Sequence, residues 1–189
     1  INLSASLATA EKKVLLIAAR SAIEEALDAR NTEPVAFDAK IFSEKRGAFV
    51  TLHNNGKLRG CIGYVMAYKP LRETVCEMAV AACRDPRFKP VAADELADID
   101  IEISVLSPLQ QIRDIQEIEV GRHGLYIKNG LYSGLLLPQV AADYHWDSET
   151  FLQQTCRKAG LPVDAWRYED TVIKIFSAQV FGEKELSSE

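Results

Sequence analysis

Residues 48–63 read AFVTLHNNGKLRGCIG and carry the clearest fold signal in the chain. The residues at 48–52 favour a β-strand, and the apolar run at 58–62 favours a second one. Between them, Asn54-Asn55-Gly56 tolerates the positive φ angles of a tight turn. The sequence therefore predicts a β-hairpin. Its second strand contains LRGCIG, residues 58–63, which we call the Arg-Gly-Cys segment.

Helical periodicity flanks this hairpin on both sides. Apolar residues recur on one stripe at 10–30, with Thr9 as the predicted N-cap and a polar connection at 31–34 as the predicted end. A second helix is predicted after Pro70, because proline suits the first turn, and it should stop before Asp85-Pro86.

The second half of the chain repeats these patterns. An alternating strand is predicted at 99–106, and a second hairpin at 124–137 with a type I′ turn at Asn129-Gly130. Asp147 or Ser148 is predicted to cap a third helix ending near Ala159, with Gly160 at the C′ position. Residues 171–181 alternate again and predict one closing strand.

Two hairpins imply antiparallel pairing. We therefore expect an α+β fold with a mainly antiparallel or mixed sheet, flanked by about three main helices. The length of 189 residues fits a single domain spanning 1–189, and 48% hydrophobic with 26% charged residues is ordinary globular composition.

Charge and cysteine usage exclude several function classes. The net charge is −5, with 22 basic residues scattered among 27 acidic ones, which disfavours non-specific nucleic-acid binding. The four cysteines form no CxxC pair, so we expect no metal site, and nothing in the sequence calls for a cofactor. The apolar runs are too short to span a membrane, and Ile1-Asn2-Leu3 does not begin a signal peptide. We expect a cytoplasmic protein.

The Arg-Gly-Cys segment is the strongest candidate site. Alternation along a strand puts Arg59, Cys61 and Gly63 on one face. Gly60 and Gly63 weaken a strand, so they indicate a bulge or the close approach of a ligand or another backbone. A guanidinium about 6–7 Å from a thiol favours the thiolate. The alternative is that Cys61 is a small buried hydrophobe and Arg59 a surface ion-pair partner.

Three further residues are weaker candidates. His123 lies in a predicted turn and is a possible acid–base group. Arg87, in Arg84-Asp85-Pro86-Arg87-Phe88, is a possible anion-binding residue, although Asp85 before proline is also ordinary helix-stop chemistry. Gln139 is a polar residue in an apolar run that either satisfies local backbone groups or points into a pocket.

The chain resembles the AMMECR domain family along nearly its whole length. LRGCIG is the hallmark of that family and is intact here. The other matching segments, in order, are Phe49-Val50-Thr51-Leu52, Asp85-Pro86-Arg87-Phe88 with Pro90, Ile103-Ser104-Val105-Leu106, Gly121 with His123-Gly124-Leu125, Gly134-Leu135-Leu136-Leu137-Pro138-Gln139-Val140, Trp146, Phe151-Leu152 and Lys158-Ala159-Gly160-Leu161-Pro162.

The resemblance implies a two-part α+β fold with a cleft beside the Arg-Gly-Cys segment. It implies no particular reaction. Because similar prokaryotic domains often accompany a Memo-type protein and a radical S-adenosylmethionine enzyme, it implies a shared modification pathway that acts on RNA or a small molecule.

Three hypotheses for function stay open at this point. The protein is an enzyme or enzyme subunit with Cys61 as nucleophile or redox group, Arg59 holding an anion, and His123 or Glu102 as acid–base partner. Alternatively, it is a non-catalytic binding or scaffold module in which Gly60 and Gly63 let a partner backbone or a ligand lie against the strand. The third hypothesis is RNA recognition through a local pocket.

Overall fold

The computed structural model describes residues 6–29 and 34–187. It confirms the α+β class, with two antiparallel sheets and about three main helices. The chain divides into two compact units: unit 1 is Ile1–Leu106 with Gln179–Glu189, and unit 2 is Ser107–Ala178.

The regular elements follow one another in mixed order along the chain. The strands are β1 Ala48–Asn54, β2 Lys57–Tyr64, β3 Ile99–Leu106, β4 Gln110–Gln111, β5 Gly124–Asn129, β6 Tyr132–Leu136, β7 Val172–Phe176 and β8 Ala178–Gly182. The helices are α1 Thr9–Ala26, α2 Leu71–Ala82, α3 Pro138–Asp143, α4 Ser148–Lys158 and α5 Glu183–Leu186.

Unit 1 contains a four-stranded sheet in the order β2-β1-β3-β8. The predicted first hairpin is confirmed: Asn55 and Gly56 have φ angles of 49° and 78°, as a type I′ turn requires. Leu52 lies opposite Gly60 and His53 lies opposite Leu58, so Arg59 is an extra residue on β2. The glycine-rich strand therefore contains a β-bulge.

The core of unit 1 lies between one face of this sheet and helices α1 and α2. Alternate residues of β1 and β3, such as Val50 and Ile101, are fully buried against Leu15 and Val75 of the helices. Each such side chain contributes about 1.5–3 kcal/mol by leaving water. The opposite sheet face carries Thr51 and the other residues that alternate with the core positions.

The ends of α1 differ from the prediction by a few residues. Thr9 is the first helical residue, and Ala8 occupies the N-cap position, where its N–H donates to the Glu11 carboxylate at 2.8 Å. The helix ends at Ala26, soon before Asp28 at φ 51°. Residues 31–33 of the predicted polar connection lie outside the described residues.

Unit 2 contains a four-stranded sheet in the order β4-β7-β5-β6. The second hairpin is confirmed, but its predicted turn type is wrong. Asn129 pairs with Tyr132, so the loop is Gly130-Leu131, and only Gly130 has a positive φ, of 58°. This is the pattern of a type II′ turn, which places glycine at the first loop position.

The single closing strand predicted at 171–181 is also wrong, because it consists of β7 and β8 in different sheets. Ser177 separates them. Its N–H donates to the Ser107 hydroxyl at 2.9 Å, and its carbonyl accepts from the Ser107 N–H at 2.8 Å. These bonds replace the sheet ladder at the position where the strand changes sheets.

The predicted third helix is confirmed as α4. The Asp147 side chain accepts from the Thr150 N–H at 2.8 Å, and Gly160 follows the helix at φ 76°. The preceding short helix α3 was not predicted; it begins at Pro138, whose missing N–H costs nothing at a helix start. Within the described parts of the chain, no helix combines the length and the apolar character needed to cross a membrane.

Candidate functional site

The Arg-Gly-Cys segment lies on an edge strand of unit 1. Strand β2 is the last strand of its sheet, so one side of its backbone is not paired with another strand. On this outer side the Cys61 N–H donates to Asp85 Oδ2 at 2.9 Å. The Asp85 side chain is only 1% exposed. A buried carboxylate thus fixes the backbone of Cys61 from outside the sheet.

Asp85 is held in turn by Arg87. The Arg87 backbone N–H and Nε donate to Asp85 Oδ1 at 3.0 and 3.1 Å, and Nη2 donates to Oδ2 at 2.7 Å. The hydrogen bonds from Arg87 and from the Cys61 N–H hold the pKa of Asp85 well below its ordinary value. The Arg87 side chain is 58% exposed, so its positive charge faces solvent beside a buried anion.

Arg59 anchors the segment that follows α2. Its Nε and Nη2 donate to the two Glu95 carboxylate oxygens at 2.9 Å each. Nη1 donates to the Lys89 carbonyl at 2.8 Å, and Nη2 also reaches the Pro90 carbonyl at 3.3 Å. This pairing raises the pKa of Arg59 and lowers that of Glu95. The sequence predicted that the Arg59 guanidinium binds an anionic ligand. In the structure it binds the Glu95 carboxylate of the same chain.

Both glycines of the segment make room for the protein itself. A Cβ on Gly60 would overlap the Ala82 carbonyl oxygen at the end of α2. A Cβ on Gly63 would overlap the Ala48 carbonyl oxygen and the ring of Phe49, its cross-strand neighbour. The expected close approach of another backbone is present at Gly60, and the approaching backbone is that of α2.

The Cys61 thiol is partly exposed and accepts a hydrogen bond from the Thr51 hydroxyl at 3.1 Å. Thr51 pairs with Cys61 on one side and with Glu102 on the other, so the three residues form a polar row across the sheet. With strands about 4.8 Å apart, the Cα atoms of Cys61 and Glu102 are separated by about 10 Å. Glu102 thus lies two strands away from Cys61, with Thr51 between them.

Arg87 is linked to the Cys61 backbone through Asp85, because Asp85 Oδ2 accepts from both the Cys61 N–H and Arg87 Nη2. Arg59, by contrast, is directed to Glu95. The arginine linked to Cys61 through Asp85 is thus a different one from the arginine that the sequence places on the same strand face.

The other three cysteines are in less reactive surroundings. Burial raises the pKa of Cys76 and Cys156, and it raises the pKa of Cys83 to about 11. A high thiol pKa leaves little of the nucleophilic thiolate near neutral pH. All four cysteines are free.

The remaining predicted site residues belong to unit 2. His123 is buried, its Nδ1 accepts from the Glu119 N–H at 3.1 Å, and burial lowers its pKa. Gln139 is exposed in the first turn of α3. Unit 1 therefore brings together five of the seven predicted residues, Arg59, Gly60, Cys61, Gly63 and Arg87.

Sequence reasoning missed three residues of the site. Thr51 has an ordinary strand position, Glu95 lies in a short helical turn, and Asp85 was interpreted as helix-stop chemistry. Their roles depend on contacts between distant positions, such as the 24 residues that separate Cys61 from Asp85. A signal was present only for Asp85, in the charges that surround the Asp-Pro pair.

Among the described residues, no group of three or more His, Cys, Asp or Glu is arranged to hold a metal ion. The polar groups of the site are instead bound to one another. The arrangement offers a thiol, a hydroxyl that bonds to it, and one exposed guanidinium.

The comparisons with known proteins agree with the resemblance seen in the sequence. The AMMECR1 family model matches residues 16–181. The chain is 47% identical to a protein of Thermococcus onnurineus (88% of this chain, 87% of the relative) and 44% identical to one of Methanothermobacter thermautotrophicus (95% and 97%). It is also similar to the crystal structure of the uncharacterized protein PH0010 from Pyrococcus horikoshii, with a TM-score of 0.74, 42% identity and 90% of each chain covered. With most of its length matched by the family model and by relatives of this identity, the chain belongs to the AMMECR1 family.

Proposed function

We propose that this protein is a component of a modification pathway and acts through the Cys61 thiol. The observation that carries the proposal is the position of this thiol. It is partly exposed on an edge strand, its backbone N–H is fixed by Asp85, and its sulfur accepts from Thr51. The other cysteines, Cys76, Cys83 and Cys156, have pKa values raised by burial.

The surrounding groups suit a nucleophilic thiolate. The Thr51 hydroxyl donates to the sulfur, and the exposed Arg87 guanidinium is bound to the same Asp85 carboxylate as the Cys61 N–H. Asp85 engages Nε and Nη2 of Arg87, which leaves Nη1 available for an anionic group of a substrate. Arg87 thus replaces Arg59 as the residue that we assign to substrate binding.

Glu102 is the acid–base group that we assign to the site. It lies on the same face of the same sheet and is linked to Cys61 through Thr51. His123, the other acid–base candidate from the sequence, belongs to unit 2, where burial lowers the pKa of its imidazole.

The family resemblance and the sequence add proposed partners and a proposed cellular location. A Memo-type protein and a radical S-adenosylmethionine enzyme are the proposed partners, and the cytoplasm is the proposed location. Both follow from resemblance and from the sequence, and they would be tested by affinity purification and fractionation in the native host.

Alkylation kinetics test the role of Cys61 directly. Iodoacetamide labelling over a pH series, followed by mass spectrometry of each cysteine peptide, should show Cys61 reacting far faster than Cys76, Cys83 and Cys156. Arg87→Gln should slow Cys61 alone. If Cys61 labels as slowly as the other three, the thiol is structural and the proposal is wrong.

The scaffold hypothesis remains the alternative, and the structure changes how it is tested. Arg59→Ala does not test this hypothesis cleanly, because it would release the segment at 89–95 as well as any partner. Arg87→Gln removes a guanidinium that is 58% exposed, and because Arg87 also binds Asp85, Arg87→Lys is measured beside it to keep a positive charge at that carboxylate. A scaffold would lose its partner with Arg87→Gln and keep it with Cys61→Ser.

A further inference from the structure

The free edge of β2 is blocked at one residue and open at another. Asp85 occupies the outward N–H of Cys61. In an antiparallel ladder alternate residues direct their backbone groups to the same side, so Gly63 also directs its N–H and C=O outward. No described residue outside the sheet bonds to the Gly63 N–H. Asp85 thus covers one part of the edge and leaves the next part unpaired.

A groove lies beside this open edge. It has a volume of about 780 Å³ and is formed by the last turns of α1, one side of α2 and β2. Its apolar lining residues are Ala22, Ala26, Ile62, Val80 and Ala81, with the Cys76 side chain among them. Its charged lining residues are Glu25, Glu77 and Arg84.

Ile62 connects the two features. Its side chain lines the groove, while its neighbours Cys61 and Gly63 direct their backbone groups outward. A strand added beside Gly63 would direct every second side chain to the helix side of the sheet, as Ile62 does. Those side chains would enter the groove.

We propose that the β2 edge at Gly63 and the adjoining α1–α2 groove bind an extended segment of a partner protein with apolar side chains at alternate positions. Backbone bonds to Gly63 would provide affinity, and the groove would select the side chains, as in other cases of strand addition.

The observations favour a peptide over other occupants. A small apolar molecule would fill the groove without using the outward donor and acceptor of Gly63. A second copy of the chain would have to pair β2 with β2, and the Asp85–Arg87 segment of each copy lies on that same edge, next to the open position. A single extended chain needs only the short open stretch.

This inference does not rest on the chemistry of Cys61. The groove is on the helix side of the sheet, whereas the thiol lies with Thr51 on the opposite face. Peptide binding should therefore be unchanged in Cys61→Ser, which separates the failure of this proposal from the failure of the thiol hypothesis.

Random peptides displayed on phage and selected on the full chain provide the probe. Synthetic versions of the selected peptides should contain apolar residues at alternate positions. On binding, they should slow hydrogen exchange of the Gly63 amide at least about tenfold, as a new backbone bond does. The Cys61 amide, already bonded to Asp85, should be unchanged.

Variants of the groove supply the control. Val80→Glu and Ala26→Arg should each weaken peptide binding at least about tenfold; Ala26 is exposed, so its replacement leaves folding intact. Ile17→Glu, at an exposed apolar position of α1 outside the groove, should have no effect. The proposal is overturned if the selected peptides bind Ala26→Arg equally well, if they protect amides elsewhere, or if Gly63 is protected without peptide in a concentration-dependent dimer.

Discussion

In both units a helix end packs against a glycine of a β-strand, but different chemical groups surround the two contacts. In unit 1, Gly60 of β2 lies under the Ala82 carbonyl at the end of α2. In unit 2, Gly134 of β6 lies under the backbone of Lys158 and Ala159 at the end of α4. In each unit, the second strand of a hairpin carries a glycine that lets a helix end contact the sheet directly.

A second parallel concerns aromatic residues. The ring of Phe49 covers Gly63 across the strands of unit 1, and the ring of Phe176 covers Gly124 in the same way in unit 2. Glycines in these strands are therefore explained by packing in both units. Their presence alone does not indicate a ligand.

The charged residues differ between the units. Next to Gly60, Arg59 binds Glu95 and Asp85 binds Arg87. The α4 end beside Gly134 continues into Gly160, which lies near the ring of Tyr132. The comparison separates the glycines, which belong to the architecture of both units, from the Arg59–Glu95 and Asp85–Arg87 pairs and the partly exposed thiol that surround Gly60 in unit 1.

The largest expected effects come from filling the two glycine contacts. Gly60→Ala and Gly134→Ala should each lower the free energy of unfolding by about 3 kcal/mol, because the added methyl group overlaps backbone that cannot move aside. Urea denaturation measures the change. The matched control is Gly182→Ala, where a Cβ would meet the nearest atom at 3.6 Å, and the expected loss is under about 0.5 kcal/mol. Equal losses of unfolding free energy at all three positions would contradict the role of Gly60 and Gly134 in the two helix contacts.

The second prediction concerns acid stability and Asp85. The pKa of Asp85 is lowered in the folded protein from its ordinary value of 3.8, so the carboxylate stabilises the fold above that pH. The stabilisation should disappear as the pH falls from about 4 through the lower pKa of the folded state. Asp85→Asn should be less stable than the wild type at neutral pH, with the difference shrinking in acid.

Thermal unfolding over a pH series tests this linkage, with Asp147→Asn as the control. Asp147 also has a lowered pKa, but it caps α4 in unit 2. A constant difference between the wild type and Asp85→Asn from neutral to acid pH would show that the carboxylate charge is not what stabilises the site.

These cases show what the sequence was able to predict. The first hairpin, α4 and the strand at 99–106 follow from local patterns, because turn residues, caps and alternation act over a few positions. The break at Ser177 was missed because residues 171–181 alternate without interruption, and the bonds to Ser107 that divide them connect positions 70 residues apart. Cys61 was predicted as a site residue from its sequence neighbours, whereas Asp85 was assigned only its local role at the helix end.

The third prediction tests Arg59 as a local anchor. Arg59→Ala should lower the free energy of unfolding by about 1 kcal/mol, since its ion pair with Glu95 is partly exposed. Hydrogen exchange should increase mainly at 89–95, the segment that Arg59 holds. Arg59→Lys should restore the charge but not the bidentate pairing, so exchange there should remain raised. Unchanged exchange at 89–95 would contradict the anchoring role.

The smallest expected effect is on the alkylation rate of the Cys61 thiol. The comparison between the units does not predict this rate. Thr51→Val removes the hydroxyl that donates to Cys61 and keeps a β-branched side chain in the strand. Alkylation of Cys61 near neutral pH should slow by only about twofold, because the sulfur loses a single hydrogen bond. Ser104→Ala, on β3, is the matched control, since Ser104 pairs with Phe49 rather than with Thr51. If both variants alkylate at the wild-type rate while Arg87→Gln is slowed, the charge of Arg87 acts on the thiol and the Thr51 hydroxyl does not.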